Sequence, residues 1–286
     1  MKYGVIDIGS NSVRLMISDG NNTLYKKVKT TRLAENMCGA VLQSAPMERT
    51  ADAVSFFVKC AKEENVNEIC VFATAAVRQA KNKQAFIDLV KDRAGIDVDV
   101  ISGESEAQIG IKGALNGADG AIIDVGGAST EVIVTKDGTQ IFSKSLNLGV
   151  VTLYNEFGQD KTKIENYISE KIKEFGVIPK SNFYGIGGTA TSLASILQEL
   201  DPYDPNKVDG YVIDVQTLIH LNDKLFSLSV EQRRELKGLQ KERAEVIAGG
   251  CAVTLAILTM VGVDKITVSE KDNLEGYLMK RLENYE

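Results

Sequence analysis

Apolar and polar positions along this chain follow a pattern that occurs twice. Residues 4–20 give a short apolar run through Asp7, a Gly/Ser loop, a second apolar run and an Asp-Gly turn. Residues 121–138 repeat all four parts, with Asp124 standing 117 residues after Asp7. Each copy reads as a β-hairpin, the first over 3–18, and each is followed by a third strand, at Thr23–Thr30 and at Gln140–Leu146. After the first copy, Ala51, Val54, Phe57, Val58 and Ala61 recur at helical spacing, which predicts an amphipathic helix over Met47–Asn65. A buried strand at Glu68–Ala73, a helix at Lys83–Ala94, a strand at Asp97–Ile101 and a helix at Glu104–Leu115 follow. Behind the second copy the pattern predicts a helix from Val151, another over Lys161–Phe175, a strand at Asn182–Ile186 and a helix at Ala190–Leu200. Asp201–Asp209 reads as a loop. Helices over 215–227, 230–236 and 241–261, a strand at Lys265–Val268 and a closing helix over 272–284 complete the chain. Strands alternating with helices place it in the α/β class. The boundary is expected near Asn116–Gly120, giving an N-terminal domain over 1–118 and a C-terminal domain with added helices over 119–286.

Composition narrows the function classes. A length of 286 residues suits two domains of about 120–160 residues. The formal net charge of −6 argues against a nucleic-acid partner, which usually needs a basic face. The most apolar stretch, Ile247 to Val263, carries Gly249, Gly250 and Gly262 and reads as a buried helix rather than a membrane span. No leader-like start is visible. Four cysteines without a CxxC pair and a single histidine do not make a zinc site and suit a reducing cytoplasm.

The chemistry concentrates in the repeated loops. Ser10, Asn11 and Ser12 in the first, and Gly126, Gly127, Ala128 and Ser129 in the second, offer hydroxyls and close-lying backbone N–H groups to a phosphate. Asp7 and Asp124 end strands beside those loops, where a carboxylate on each side would hold a cation. Two loops on separate domains imply a cleft that closes over the anion. Arg14 lies amid Val13, Leu15 and Met16, so it is either paired or on a solvent face. Arg78 follows Ala73–Val77, read as a small-residue loop after a strand, and suits a bidentate phosphate clamp. Glu104 and Glu106 both fall in a helix's first turn behind Ser102, where the helix dipole alone would account for either one. The functional alternative is a general base for water. Gly187, Gly188 and Thr189 form a third glycine turn opening a helix.

Taken in order, several segments resemble the exopolyphosphatase/guanosine pentaphosphate phosphohydrolase family. They are Asp-Ile-Gly-Ser-Asn-Ser-Val-Arg (7–14), Ala-Thr-Ala-Ala-Val-Arg (73–78), Ile-Ser-Gly-Glu-Ser-Glu-Ala (101–107) and Asp-Val-Gly-Gly-Ala-Ser-Thr-Glu (124–131). Leu-Asn-Leu-Gly (146–149), Gly-Ile-Gly-Gly-Thr (185–189) and Glu-Arg-Ala-Glu-Val-Ile (242–247) continue the series. The resemblance implies two RNase H-like domains of the actin/sugar-kinase/chaperone superfamily, as in the family's short members. It assigns the catalytic role to Glu106 and the Mg and phosphate roles to Asp7, Asp124, Ser10, Asn11, Gly126, Gly127, Ser129 and Arg78. It implies Mg-dependent release of orthophosphate from inorganic polyphosphate. Guanosine pentaphosphate is the alternative substrate, and a low-turnover binding regulator is the alternative function. A homodimer would also be in keeping with it. Four positions depart from the family pattern: Ser105 for a second Glu, Ala128 for a third Gly, Asp209 for a His, and Leu274 for an Arg.

Overall fold

A computed structural model describes residues 1–283. In chain order the elements are β1 (Tyr3–Ile8), β2 (Ser12–Ser18), β3 (Thr23–Thr30), α1 (Ser44–Glu63), β4 (Glu68–Ala73), α2 (Ala75–Gln79), α3 (Lys83–Ala94), β5 (Asp99–Val100) and α4 (Gly103–Leu115). They continue with β6 (Gly120–Val125), β7 (Thr130–Lys136), β8 (Thr139–Leu146), α5 (Val150–Phe157), α6 (Lys161–Lys171), β9 (Phe183–Ile186), α7 (Gly187–Leu197) and α8 (Pro205–Val208). The last are β10 (Val212–Asp214), α9 (Val215–Ser227), α10 (Val230–Arg234), α11 (Ile247–Val261), β11 (Lys265–Val268) and α12 (Asn273–Glu283).

The chain forms two compact units. The first comprises Met1–Ile109 with Asn273–Glu286, the second Gly110–Asp272. The sheet of the first unit runs β3-β2-β1-β4-β5. Its first three strands are antiparallel, while β1, β4 and β5 are parallel. The second sheet, read from its other edge, runs β8-β7-β6-β9-β11-β10. The same antiparallel hairpin-plus-strand is followed there by parallel β6, β9 and β11. Each unit therefore repeats one RNase H-like order, and the second adds β10 at its edge. The duplicated α/β architecture expected from the sequence is present.

Burial explains the strand patterns. Central β1 is apolar on both faces because helices cover both, whereas the edge strands β3 and β8 expose most of their residues. The core of the first unit gathers Val5, Met16, Phe72, Ile101 and Ile109 with Leu274 and Leu278 of α12. Tyr277 stacks on Phe72 with ring centroids 4.4 Å apart, and its hydroxyl donates to Asp99 at 3.0 Å. The closing helix thus belongs with the first unit, and the units divide at Ile109/Gly110 and Asp272/Asn273 rather than at 118/119.

Several local readings change. The stretch after β4 is the short helix α2, not a loop. The segment 241–261 splits into a 3-10 turn at Lys241–Arg243 and α11. The expected strand Asp97–Ile101 pairs only over Asp99–Val100. Helix α7 starts at Gly187, three residues before the expected start. The proline-containing loop Asp201–Asp209 holds α8, and β10 just beyond it was not anticipated. The closing helix is described to Glu283, and its expected last residue, Asn284, lies outside the described residues. All four cysteines are free, with Cys38 exposed and the others buried. Among the described residues no helix is long and apolar enough to cross a membrane.

Candidate active site

The two hairpin loops close identically. Gly9 N donates to Ser12 O at 3.0 Å, and Gly126 N donates to Ser129 O at 2.9 Å. In the first unit, antiparallel register sets Asp7 opposite Arg14, and Arg14 donates to Asp7 Oδ2 from Nε at 3.0 Å and from its terminal nitrogen at 2.5 Å. Arg14 is therefore a paired cation within an apolar strand. Ser10, Asn11 and Ser12 are buried. Asn11 Nδ2 donates to Ser12 Oγ, while Asn11 Oδ1 is buried with no partner among the described residues, an orphan that a bound ion or water would satisfy.

Glu106 lies in the first turn of α4 and is only 7% exposed. Arg78, from α2, donates to Glu106 Oε2 at 2.6 Å and to the Ile101 carbonyl at 3.2 Å. Burial pushes the Glu106 carboxyl above its ordinary value, and the Arg78 guanidinium opposes that rise. Asp7 raises it further and Arg14 lowers it, so all four groups share one electrostatic neighbourhood. Glu104 is exposed, which separates the two candidate bases. A buried carboxyl of raised proton affinity paired with a guanidinium has the make-up of a general base.

In the second unit Asp124 sits opposite Glu131, which accepts from Ser145 Oγ at 2.6 Å. Gly187 has φ +74°, and a Cβ there would fall 2.7 Å from Asp124 Oδ1, so a side chain at 187 is excluded twice over. Thr189 Oγ1 donates to Val125 O at 2.7 Å, tying the third glycine turn to β6. The start of α5 donates into the second loop, with Val150 N bonded to Gly126 O and both Val151 N and Thr152 N bonded to Gly127 O. Gly149 lies flat on that loop, and a Cβ would come within 2.3 Å of the Gly127 carbonyl and Ala128 N. Ala128 and Ser129 are buried. Sequence reasoning missed Arg243, whose guanidinium lies against the Gly188 backbone. Its only sequence signal was its place in Glu-Arg-Ala-Glu.

Two of the four departures from the family pattern, Leu274 and Asp209, have local explanations. Leu274 is a core residue. Asp209 accepts from Glu270 N at 3.0 Å. Nothing in the structure explains Ser105, whose backbone N donates to Ser102 Oγ at 3.1 Å as any residue there would.

Each of the two units thus carries a glycine-containing hairpin loop, and the first adds a buried Glu–Arg pair. The profile of the Ppx/GppA phosphatase family matches residues 13–285, and the chain belongs to that family. It is 33% identical to the bifunctional 3-dehydroquinate synthase/phosphatase of Fusobacterium nucleatum across 98% of its own length, and spans 46% of that protein. With Exopolyphosphatase 2 of Mycobacterium tuberculosis it shares 24% identity, covering 96% of this chain and 97% of the relative. It is 28% identical to the guanosine-5'-triphosphate,3'-diphosphate pyrophosphatase of Pseudoalteromonas translucida, covering 98% of this chain and 59% of the relative. Among solved structures, an exopolyphosphatase from Cytophaga hutchinsonii superposes with a TM-score of 0.89 at 26% identity over 99% of this chain and 98% of that one.

Proposed function

We propose that the chain removes orthophosphate from the end of inorganic polyphosphate in a Mg-dependent reaction, with Glu106 as general base. The observation that carries this reading is the buried Glu106–Arg78 pair within the field of Asp7 and Arg14. Water would attack the terminal phosphorus while its proton passes to Glu106, and the anhydride P–O bond would break, releasing the shortened chain as an oxyanion. Arg78 and the backbone N–H groups of the Ser10–Ser12 loop would stabilise charge on the transferred phosphoryl group, and Gly127–Ser129 form the equivalent loop of the second unit. Arg14 would hold Asp7 in place and add positive charge beside the phosphate. The Gly187–Thr189 turn would offer further backbone donors at the start of α7.

Mg fits the donors present. It binds through one or two carboxylates with phosphate oxygens and waters rather than a full protein cage. Asp7 and the orphaned Asn11 Oδ1 offer hard oxygen atoms in the first unit and Asp124 offers them in the second, and among the described residues no group of three or more His, Cys, Asp or Glu side chains forms a metal cage. Bound Mg would neutralise phosphate charge.

The Pseudoalteromonas relative supports guanosine pentaphosphate as the alternative substrate. The test is phosphate release, with Mg, from long polyphosphate, tripolyphosphate, guanosine pentaphosphate and ATP side by side. Long polyphosphate is expected to lead, and EDTA to stop the reaction. No release from any of the four overturns the hydrolase reading. Full activity in EDTA removes Mg from it.

A further inference from the structure

The segment from Lys26 to Arg32 reads Lys-Lys-Val-Lys-Thr-Thr-Arg, four cations with no acid in a chain of net charge −6. It forms the end of edge strand β3 and the turn after it. Lys26 is engaged by Glu275 at 2.9 Å. Lys27 and Lys29, two apart, share the other face of the strand and are exposed. Lys27 Nζ lies 5.2 Å from the Tyr25 ring centroid and Lys29 Nζ 5.4 Å from that of Phe56, and neither has a carboxylate partner among the described residues. The strand runs directly into the first phosphate-type loop. Ser12 Oγ lies 3.4 Å from Thr30 Oγ1, Thr31 N and Arg32 N donate to Asn11 O, and Ala34 N donates to Ser10 O. Resting on the polyphosphate reading above, we propose that the Lys27/Lys29 face of β3, continued by Arg32, is a track that binds the distal phosphates of a long polyphosphate whose end lies at the Ser10–Ser12 loop. The supporting observation is charge complementarity in line with the site. At about 3.3 Å per residue, Lys27 lies roughly 13 Å along the strand from Thr31, beyond the reach of a short oligophosphate but within that of a long chain. Lysines also guard an edge strand against pairing with other chains, and a glutamate, also charged, guards it too. Charge reversal therefore separates the two roles.

The experiment measures binding of fluorescent long-chain polyphosphate to the full chain in EDTA, so that no turnover is needed, alongside steady-state hydrolysis of long polyphosphate and tripolyphosphate in Mg. Lys27→Glu/Lys29→Glu is expected to weaken long-chain binding at least 10-fold, raise KM for the long chain by a similar factor, and leave tripolyphosphate kinetics and the melting temperature unchanged. Lys27→Gln/Lys29→Gln should show a smaller loss of the same kind and a shallower salt dependence. Unchanged long-chain affinity in the folded Glu variant overturns the track, even if the enzyme hydrolyses polyphosphate as proposed. Lysine-dependent binding without hydrolysis supports the track and overturns only the catalytic reading. Displacement of polyphosphate by single-stranded DNA at equal charge concentration would show a generic polyanion surface and also overturn it.

Discussion

Two carboxylates in one helical turn, Glu104 and Glu106, carry equal claims on paper and unequal ones in the fold. Burial and the Arg78 bond single out Glu106. Glu106→Gln keeps the shape but takes no proton, so kcat should fall about 10²–10⁴-fold with little change in KM. A base acts when deprotonated, and burial raises the Glu106 carboxyl, so activity should decline as pH falls through that raised value. Arg78 holds the carboxyl down, so Arg78→Gln should move the acid limb of its residual kcat profile to higher pH. An acid limb that stays in place would remove Arg78 from control of Glu106.

The second loop is held by a neighbouring helix start rather than by its own side chains. Its carbonyls at Gly126 and Gly127 accept three α5 N–H groups, and Gly149 makes that approach possible. Gly149→Ala forces Cβ against the Gly127 carbonyl. The expected cost is about 1–3 kcal/mol of stability, as for other overpacked contacts, together with a raised KM for polyphosphate. Thermal melts and steady-state kinetics measure both, and an unchanged KM with an unchanged melt would show that the loop does not depend on this contact. Gly126 and Gly127 were legible as a phosphate-type loop, because glycine chemistry is local. Gly149 carried no such meaning, since its partner is more than twenty residues away in the chain.

Across the whole molecule, the C-terminal helix completes the first unit. Leu274 and Leu278 fill its core, and Glu275 accepts from Thr23 Oγ1 at 2.7 Å across a separation of 252 residues. Leu274, where the resemblance implies an Arg, is fully buried, so a packing role accounts for the apolar residue in this chain. Leu274→Ala should destabilise the protein by about 2–5 kcal/mol, read from urea denaturation. A loss below about 1 kcal/mol would place the helix outside the core.

The duplication, the α/β class, most strands and the paired glycine loops could all be read from the amino-acid order. Alternating burial, helical spacing and glycine turns are short-range signals, and a repeat of the same pattern declares itself. Other features required the folded chain. The short helices α2 and α8 and the two-residue pairing of β5 depend on neighbours that local propensity does not encode. Asp7–Arg14 and Arg78–Glu106 are pairs across strands and helices, and a charge's environment is set by what packs around it. The placement of α12 depends on the same physics: an amphipathic helix shows that it will bury one face, and only the surrounding core fixes where.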